Sequence, residues 1–157
     1  SLPEKVNAES SDFYFDSAFE KAKKGDHYGA ISDYTKAIEI NPQYAEAYYN
    51  RGLTKRKLED YYGAISDYTK AIEINPRDVD AYNNIAFIKR KKEINDNYGA
   101  IIYATKAIEI DPNDSNAYLN RGVAKENLGD MKGACDDWRK ASSLGNESTA
   151  KWVRDQC

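Results

Sequence analysis

Histidine, cysteine and proline are scarce here: 157 residues hold one histidine, two cysteines and four prolines. His27, Cys135 and Cys157 are too few for a zinc site, and neither cysteine belongs to a Cys-x-x-Cys pair. The two cysteines could pair, but nothing in their spacing demands it, and the expectation is a half-buried thiol at Cys135 and a frayed terminal one at Cys157. No glycine-rich phosphate loop, nucleophile elbow or metal cluster is present, which argues against an enzyme and implies no cofactor and no metal. A basic excess is missing too. Lysine and arginine number 23 against 26 acids, for a net charge of −3, and a general nucleic-acid binder is not expected from that balance. No apolar run approaches the roughly 18 residues that span a bilayer. With a mean hydropathy of −0.83, the expectation is a soluble protein without direct membrane insertion. No signal peptide or lipidation motif is visible, and the cytoplasm is the compartment first expected.

What the chain does have is repetition. Tyr28–Pro42 recurs letter for letter as Tyr62–Pro76, 34 positions on. A looser copy runs from Tyr98 to Pro112 and a worn one from Lys132 to Asn146. A fixed period of this size is the signature of a stacked-repeat architecture. Residues 1–10 read as a flexible lead-in. Residues 11–157 read as a single domain of four repeats, 11–44, 45–78, 79–114 and 115–148, closed by a helix over 147–156. Each repeat reads as two helices and a short turn. In the second, the first helix is expected over 45–58 and the second over 62–74. Ala64, Ile65, Tyr68, Ala71 and Ile72 form its apolar stripe. Asp60 precedes that helix as a cap, with Asp26, Asp96 and Asp130 at or near the matching place. Asn75-Pro76 stops it.

Small residues recur at fixed offsets: Ala18, Gly52, Ala86 and Gly122 in the first helices, and Ala30, Ala64, Ala100 and Ala134 in the second. Bulky Tyr34, Tyr68 and Trp138 recur beside them. A small residue facing an aromatic lets two helices approach closely, and each hairpin needs its neighbours to cover the rest of its apolar surface.

These residues resemble the tetratricopeptide repeat, whose signature is read here as Tyr48…Gly52…Ala64-x₃-Tyr68…Pro76. The resemblance implies an all-α, right-handed α-solenoid of four helix-turn-helix units plus a C-terminal capping helix. Departures from the pattern carry expectations of their own. Arg51 and Arg121 stand where the family usually has leucine. Lys21, Lys55, Lys89 and Lys125 replace the usual tyrosine, so that edge is expected to be wetter. Ala104 replaces an aromatic, leaving a smaller core unless Tyr103 swings in. The third repeat is longer, and its turn is expected to bulge at 93–97.

Tetratricopeptide proteins are binding scaffolds, so the resemblance implies a non-catalytic adaptor that binds a partner peptide or helix in a concave groove lined by the first helices. The inward positions give Phe15 and Phe19 from the first repeat, then Tyr49, Asn50, Leu53, Arg56 and Lys57 from the second. The third contributes Asn83, Asn84, Phe87, Arg90 and Lys91, and the fourth Asn116, Leu119, Asn120, Val123 and Asn127. Asn50, Asn84 and Asn120 share one position and are expected to form an amide ladder facing a peptide backbone. Phe15, Phe19, Tyr49, Leu53, Phe87 and Val123 are expected to form an exposed apolar strip. Lys55-Arg56-Lys57 and Lys89-Arg90-Lys91-Lys92 end successive helices, where cations complement the dipole and can attract an acidic segment. The family's carboxylate clamp keeps only its middle asparagine here and is not expected. Asp33, Asp67, Asp136 and Asp137 read as solvated faces. The alternatives are a structural module that associates with itself through its ends, and a regulatory segment of a larger protein.

Overall fold

In a computed structural model, residues 9–157 are described; of the expected lead-in, residues 1–8 lie outside them. The described residues form α1 (Ser11–Lys23), α2 (His27–Ile40), α3 (Ala45–Lys57), α4 (Tyr61–Ile74), α5 (Val79–Lys89), α6 (Asn97–Ile110), α7 (Ser115–Asn127), α8 (Met131–Ser143) and α9 (Glu147–Gln156). No strand occurs among them, and no helix is long and apolar enough to cross a membrane. The chain groups into two compact units. One ends at Pro76 and holds α1 to α4; the other runs from Arg77 to Cys157 and holds α5 to α9.

Every second helix starts the same way. The carboxylates of Asp26, Asp60, Asp96 and Asp130 accept from the backbone N–H of Gly29, Gly63, Gly99 and Gly133 at 2.8 to 3.0 Å. Such a cap contributes about 1 kcal/mol. The glycine is required by packing, because a Cβ there would fall within about 3 Å of the capping carboxylate. The residue before each cap turns the chain through the left-handed region: Gly25 at φ 84°, Glu59 at 61°, Asn95 at 52° and Gly129 at 83°. The third connection is the long one. It runs from Arg90 to Asp96, whereas Leu58 to Asp60 suffices between α3 and α4.

In the first unit the core gathers Phe15, Ala18, Ala30, Tyr34, Ala37, Ile38 and Ala47. A Cβ on Gly52 would sit 2.9 Å from the ring of Tyr68, so the glycine is the hole and the tyrosine the knob. In the second unit Gly122 plays the same part for Trp138, whose Nε1 would lie 2.5 Å from the added carbon. Trp138 is fully buried and meets Trp152 of α9 at 5.2 Å between ring centres, with Val153 packed beside them. In the third hairpin Ala86 faces no such knob, since Ala104 replaces the aromatic. There Ile85 and Ile88 are fully buried, and Tyr103 is half-buried against Tyr82 at 6.1 Å.

Two expectations are overturned. Cys135 and Cys157 are joined by a disulfide with Cα atoms 5.7 Å apart. The return of α9 along α8 brings two distant sequence positions together. Asp33, Asp67 and Asp137 are buried at 5%, 2% and 4% exposure, and only Asp136 faces solvent as read. Three of the four edge lysines turn onto these carboxylates while staying partly exposed. Lys55 reaches Asp67 at 2.8 Å, Lys125 reaches Asp137 at 2.8 Å and Lys21 reaches Asp33 at 2.5 Å.

The buried carboxylates are also where the misplaced arginines go. Arg51 grips Asp67 through Nε and Nη2 at 2.9 and 2.7 Å, and its Nη1 donates to Thr35 Oγ1 at 2.9 Å. Thr35 lies on α2 and Asp67 on α4, so one guanidinium bolts α3 to the helix before it and the helix after it. The second unit repeats the device. Arg121 binds Asp137 at 3.0 and 2.7 Å and Thr105 Oγ1 at 3.3 Å. The bond to Asp137 raises the Arg121 pKa against the opposing effect of burial. Two-point guanidinium–carboxylate geometry is the arrangement in which a buried pair recovers its desolvation cost. In the first hairpin Ser17 and Lys21 take the arginine's place. Burial alone pushes the Asp33 carboxyl up, but their bonds outweigh it and hold it below the ordinary carboxylate value.

Candidate functional site

The residues expected to line a groove fall into two groups, one in each unit. In the first, α1 and α3 supply Phe19, Asn50, Leu53 and Lys57, which line a cavity of about 180 Å³ together with Ala22, Lys23, Tyr34 and Thr54. Phe19 is exposed at its rim and Leu53 half-buried. Phe15 does not belong there. It is buried, stacked on Tyr44 at 5.0 Å and tilted against Tyr34 at 5.6 Å, because the chain entering α3 lays Tyr44 over it. Burial, followed by a hydrogen bond to Asp12, pushes the Tyr44 hydroxyl up to about 12. Tyr49 is half-buried, its ring 5.6 Å from Tyr68. Arg56 is half-buried and Lys57 exposed.

In the second unit Phe87, Arg90 and Lys91 of α5 and its end, Val123 and Asn127 of α7, and Lys92, Glu93 and Asn95 of the long turn surround a cavity of about 640 Å³. The longer third turn forms one wall of it. The sequence placed the extra residues correctly but gave no sign that they would enclose space. Arg90 stacks on Phe87 at 4.9 Å, and Lys91 stands 5.6 Å from the same ring. Asn127 donates to Asn97 Oδ1 at 2.9 Å and to the carbonyl of Arg90 at 3.4 Å, which ties α7 to the turn. Leu119 is half-buried and Asn116 exposed.

The expected amide ladder divides. Asn50 and Asn84 are half-buried, and each turns its amide back to its own helix, donating 2.9 Å to the carbonyls of Glu46 and Asp80. Asn120 is interior. It accepts from Arg90 Nε at 3.0 Å and donates to the carbonyl of Asn83 at 3.3 Å. Asn83 is buried as well, and its amide is bonded to the carboxylate of Asp114. Asn83 and Asn120 therefore join α5 to α7 rather than facing a ligand. Packing of one first helix on the next decides this, and it cannot be read from the spacing of a single repeat.

Comparison with known proteins gives the context for these faces. Profiles described as tetratricopeptide repeat match residues 45–78, and 67–102 with 103–136; a TPR repeat profile matches residues 20–59. A search of curated protein sequences found no match. Among solved structures, a crystal structure of MamA superposes with a TM-score of 0.83 at 25% identity, covering 94% of this chain and 84% of that one. A MamA RS-1 ArsTM double mutant superposes at 0.78 with 20% identity over 94% and 78% of the two chains. MamA MSR-1 C2 gives 0.77 with 18% identity over 91% and 81%. The last two likenesses are of fold. With repeat profiles reaching from residue 20 to residue 136 and helices throughout, the chain belongs to the tetratricopeptide repeat family, an all-α helical-repeat fold that serves as a protein–protein interaction module.

Proposed function

We propose that the chain is a non-catalytic adaptor that holds a segment of a partner protein against the faces of its first helices, α1 and α3 in one unit and α5 and α7 in the other. One observation carries this reading. In both units, incompletely buried apolar side chains stand beside an amide and a cation around an open cavity: Phe19, Leu53, Asn50 and Lys57 in the first, Phe87, Val123, Asn127 and Arg90 in the second. Apolar surface left open beside polar and cationic groups favours an extended or helical peptide. The near-balanced net charge of −3 favours a protein partner over a nucleic acid.

The test is selection from a random-peptide display library on the intact chain. Peptides should be enriched, and the Leu53→Glu or Val123→Glu variant should lose the corresponding peptides while its far-UV circular dichroism is unchanged. Absence of any enriched peptide, or enriched peptides indifferent to both substitutions, contradicts the proposal.

A further inference from the structure

Building on the adaptor reading, we infer that the cavity of the second unit selects an acidic side chain of the bound peptide, with Arg90 receiving its carboxylate and Phe87 and Val123 receiving an apolar neighbour. Three arginines differ in how they are held. Arg51 and Arg121 are each gripped at two points by a buried carboxylate and at a third by a threonine hydroxyl. Arg90 is half-buried too, yet among the described residues no carboxylate pairs with it. Among the described residues its Nε alone has an acceptor, Asn120 Oδ1. Burial lowers its pKa with no anion to oppose the effect. A half-buried guanidinium without a counter-ion is costly, and a ligand carboxylate removes that cost.

The geometry suits such a ligand. Stacking on Phe87 and the bond to Asn120 hold the guanidinium plane in place, leaving both terminal nitrogens for two-point contact with a carboxylate. Lys91 and Lys92 line the same cavity, with Glu93 as the single acid on its wall. Lys89, next in the cationic run, is engaged by Asp96 at 2.7 Å. The wall from α7 is neutral, made of Val123 and Asn127. The first unit differs. Its smaller cavity holds no arginine, and one of its two lysines, Lys23, is paired with Glu20.

The experiment uses the same random-peptide display on the full chain and then synthetic versions of the selected peptides, titrated by fluorescence anisotropy. Peptides held by the second unit should carry Asp or Glu next to an apolar residue. Arg90→Gln should weaken them about tenfold, the size of one charge-assisted contact, and Arg90→Lys less. Because Arg90 also bonds Asn120, the exposed Lys92→Glu provides a variant whose folding is not in question, and it should weaken binding severalfold. Replacing the acidic residue of the peptide by its amide should reproduce the Arg90→Gln loss on the wild-type protein and add little on the variant. Selection of acid-free peptides, or equal affinity for wild type and Arg90→Gln, overturns the acidic pocket and leaves the adaptor reading standing. Binding that rises more than about tenfold on replacing the acid with phosphoserine reassigns the pocket to a phosphate ligand and also overturns the inference. Failure to enrich any peptide overturns both.

Discussion

At one position of the repeat, α3 carries Arg51, α7 carries Arg121 and α5 carries Ile85; the partner sixteen to eighteen residues on changes in step, Asp67 and Asp137 against Tyr103. The second and fourth hairpins close with charge, and the third closes with apolar contact. The two solutions do not mix. An arginine facing tyrosine, or an aspartate facing isoleucine, leaves a buried charge without its opposite. The comparison teaches that this repeat tolerates charge in its interior only as a matched set, and that an unmatched arginine such as Arg90 is therefore a feature to explain.

The comparison can be broken most severely at the carboxylates. Asp67→Ala strands Arg51 and Lys55, and Asp137→Ala strands Arg121 and Lys125; each should cost about 3–5 kcal/mol, measured by urea unfolding. Ile85→Arg should cost a similar amount in the third hairpin, and adding Tyr103→Asp should recover most of it. Next in size is the disulfide, which belongs to the second unit only. Cys157→Ser opens a loop of 22 residues and should cost about 3 kcal/mol. Tryptophan fluorescence isolates this effect, since Trp138 and Trp152 both lie in the second unit. Reductant should lower that transition in the wild-type protein and leave the variant unaffected.

A third prediction concerns the shared knob and hole. Gly52→Ala and Gly122→Ala push a methyl into Tyr68 and Trp138 and should each cost about 1–3 kcal/mol. Gly122→Ala is expected to be the worse, given the 2.5 Å approach against 2.9 Å. The smallest effect has the opposite sign. Glu59 turns the chain at φ 61° where Gly25 and Gly129 do so in the first and last hairpins. Glu59→Gly should stabilise the first unit by roughly 1 kcal/mol, as read by thermal melting.

Much of the frame was legible in the sequence. The period located the hairpins, Asp60 and its counterparts marked the caps, and Gly52 opposite Tyr68 announced a close crossing. The buried ion clusters were not read, because sequence shows a charge but not the partner it turns toward. A signal did exist: arginine and aspartate recur together at one spacing in the second and fourth repeats and vanish together from the third. The disulfide was missed because it depends on α9 folding back along α8, which the cysteine spacing does not encode. Helical periodicity put Phe19, Leu53, Lys57, Phe87, Arg90, Lys91 and Val123 on the faces where the two cavities open. Phe15, Asn83 and Asn120 were misread as open, since their burial is decided by Tyr44 in one case and by the packing of α5 on α7 in the others.

Amide hydrogen exchange, with and without a peptide selected on the intact chain, reads out directly which helices hold the peptide. A peptide of the first cavity should add protection in α1 and α3 and a peptide of the second in α5 and α7, with the second helices α2, α4, α6 and α8 unchanged. Protection confined to those second helices would contradict the adaptor reading.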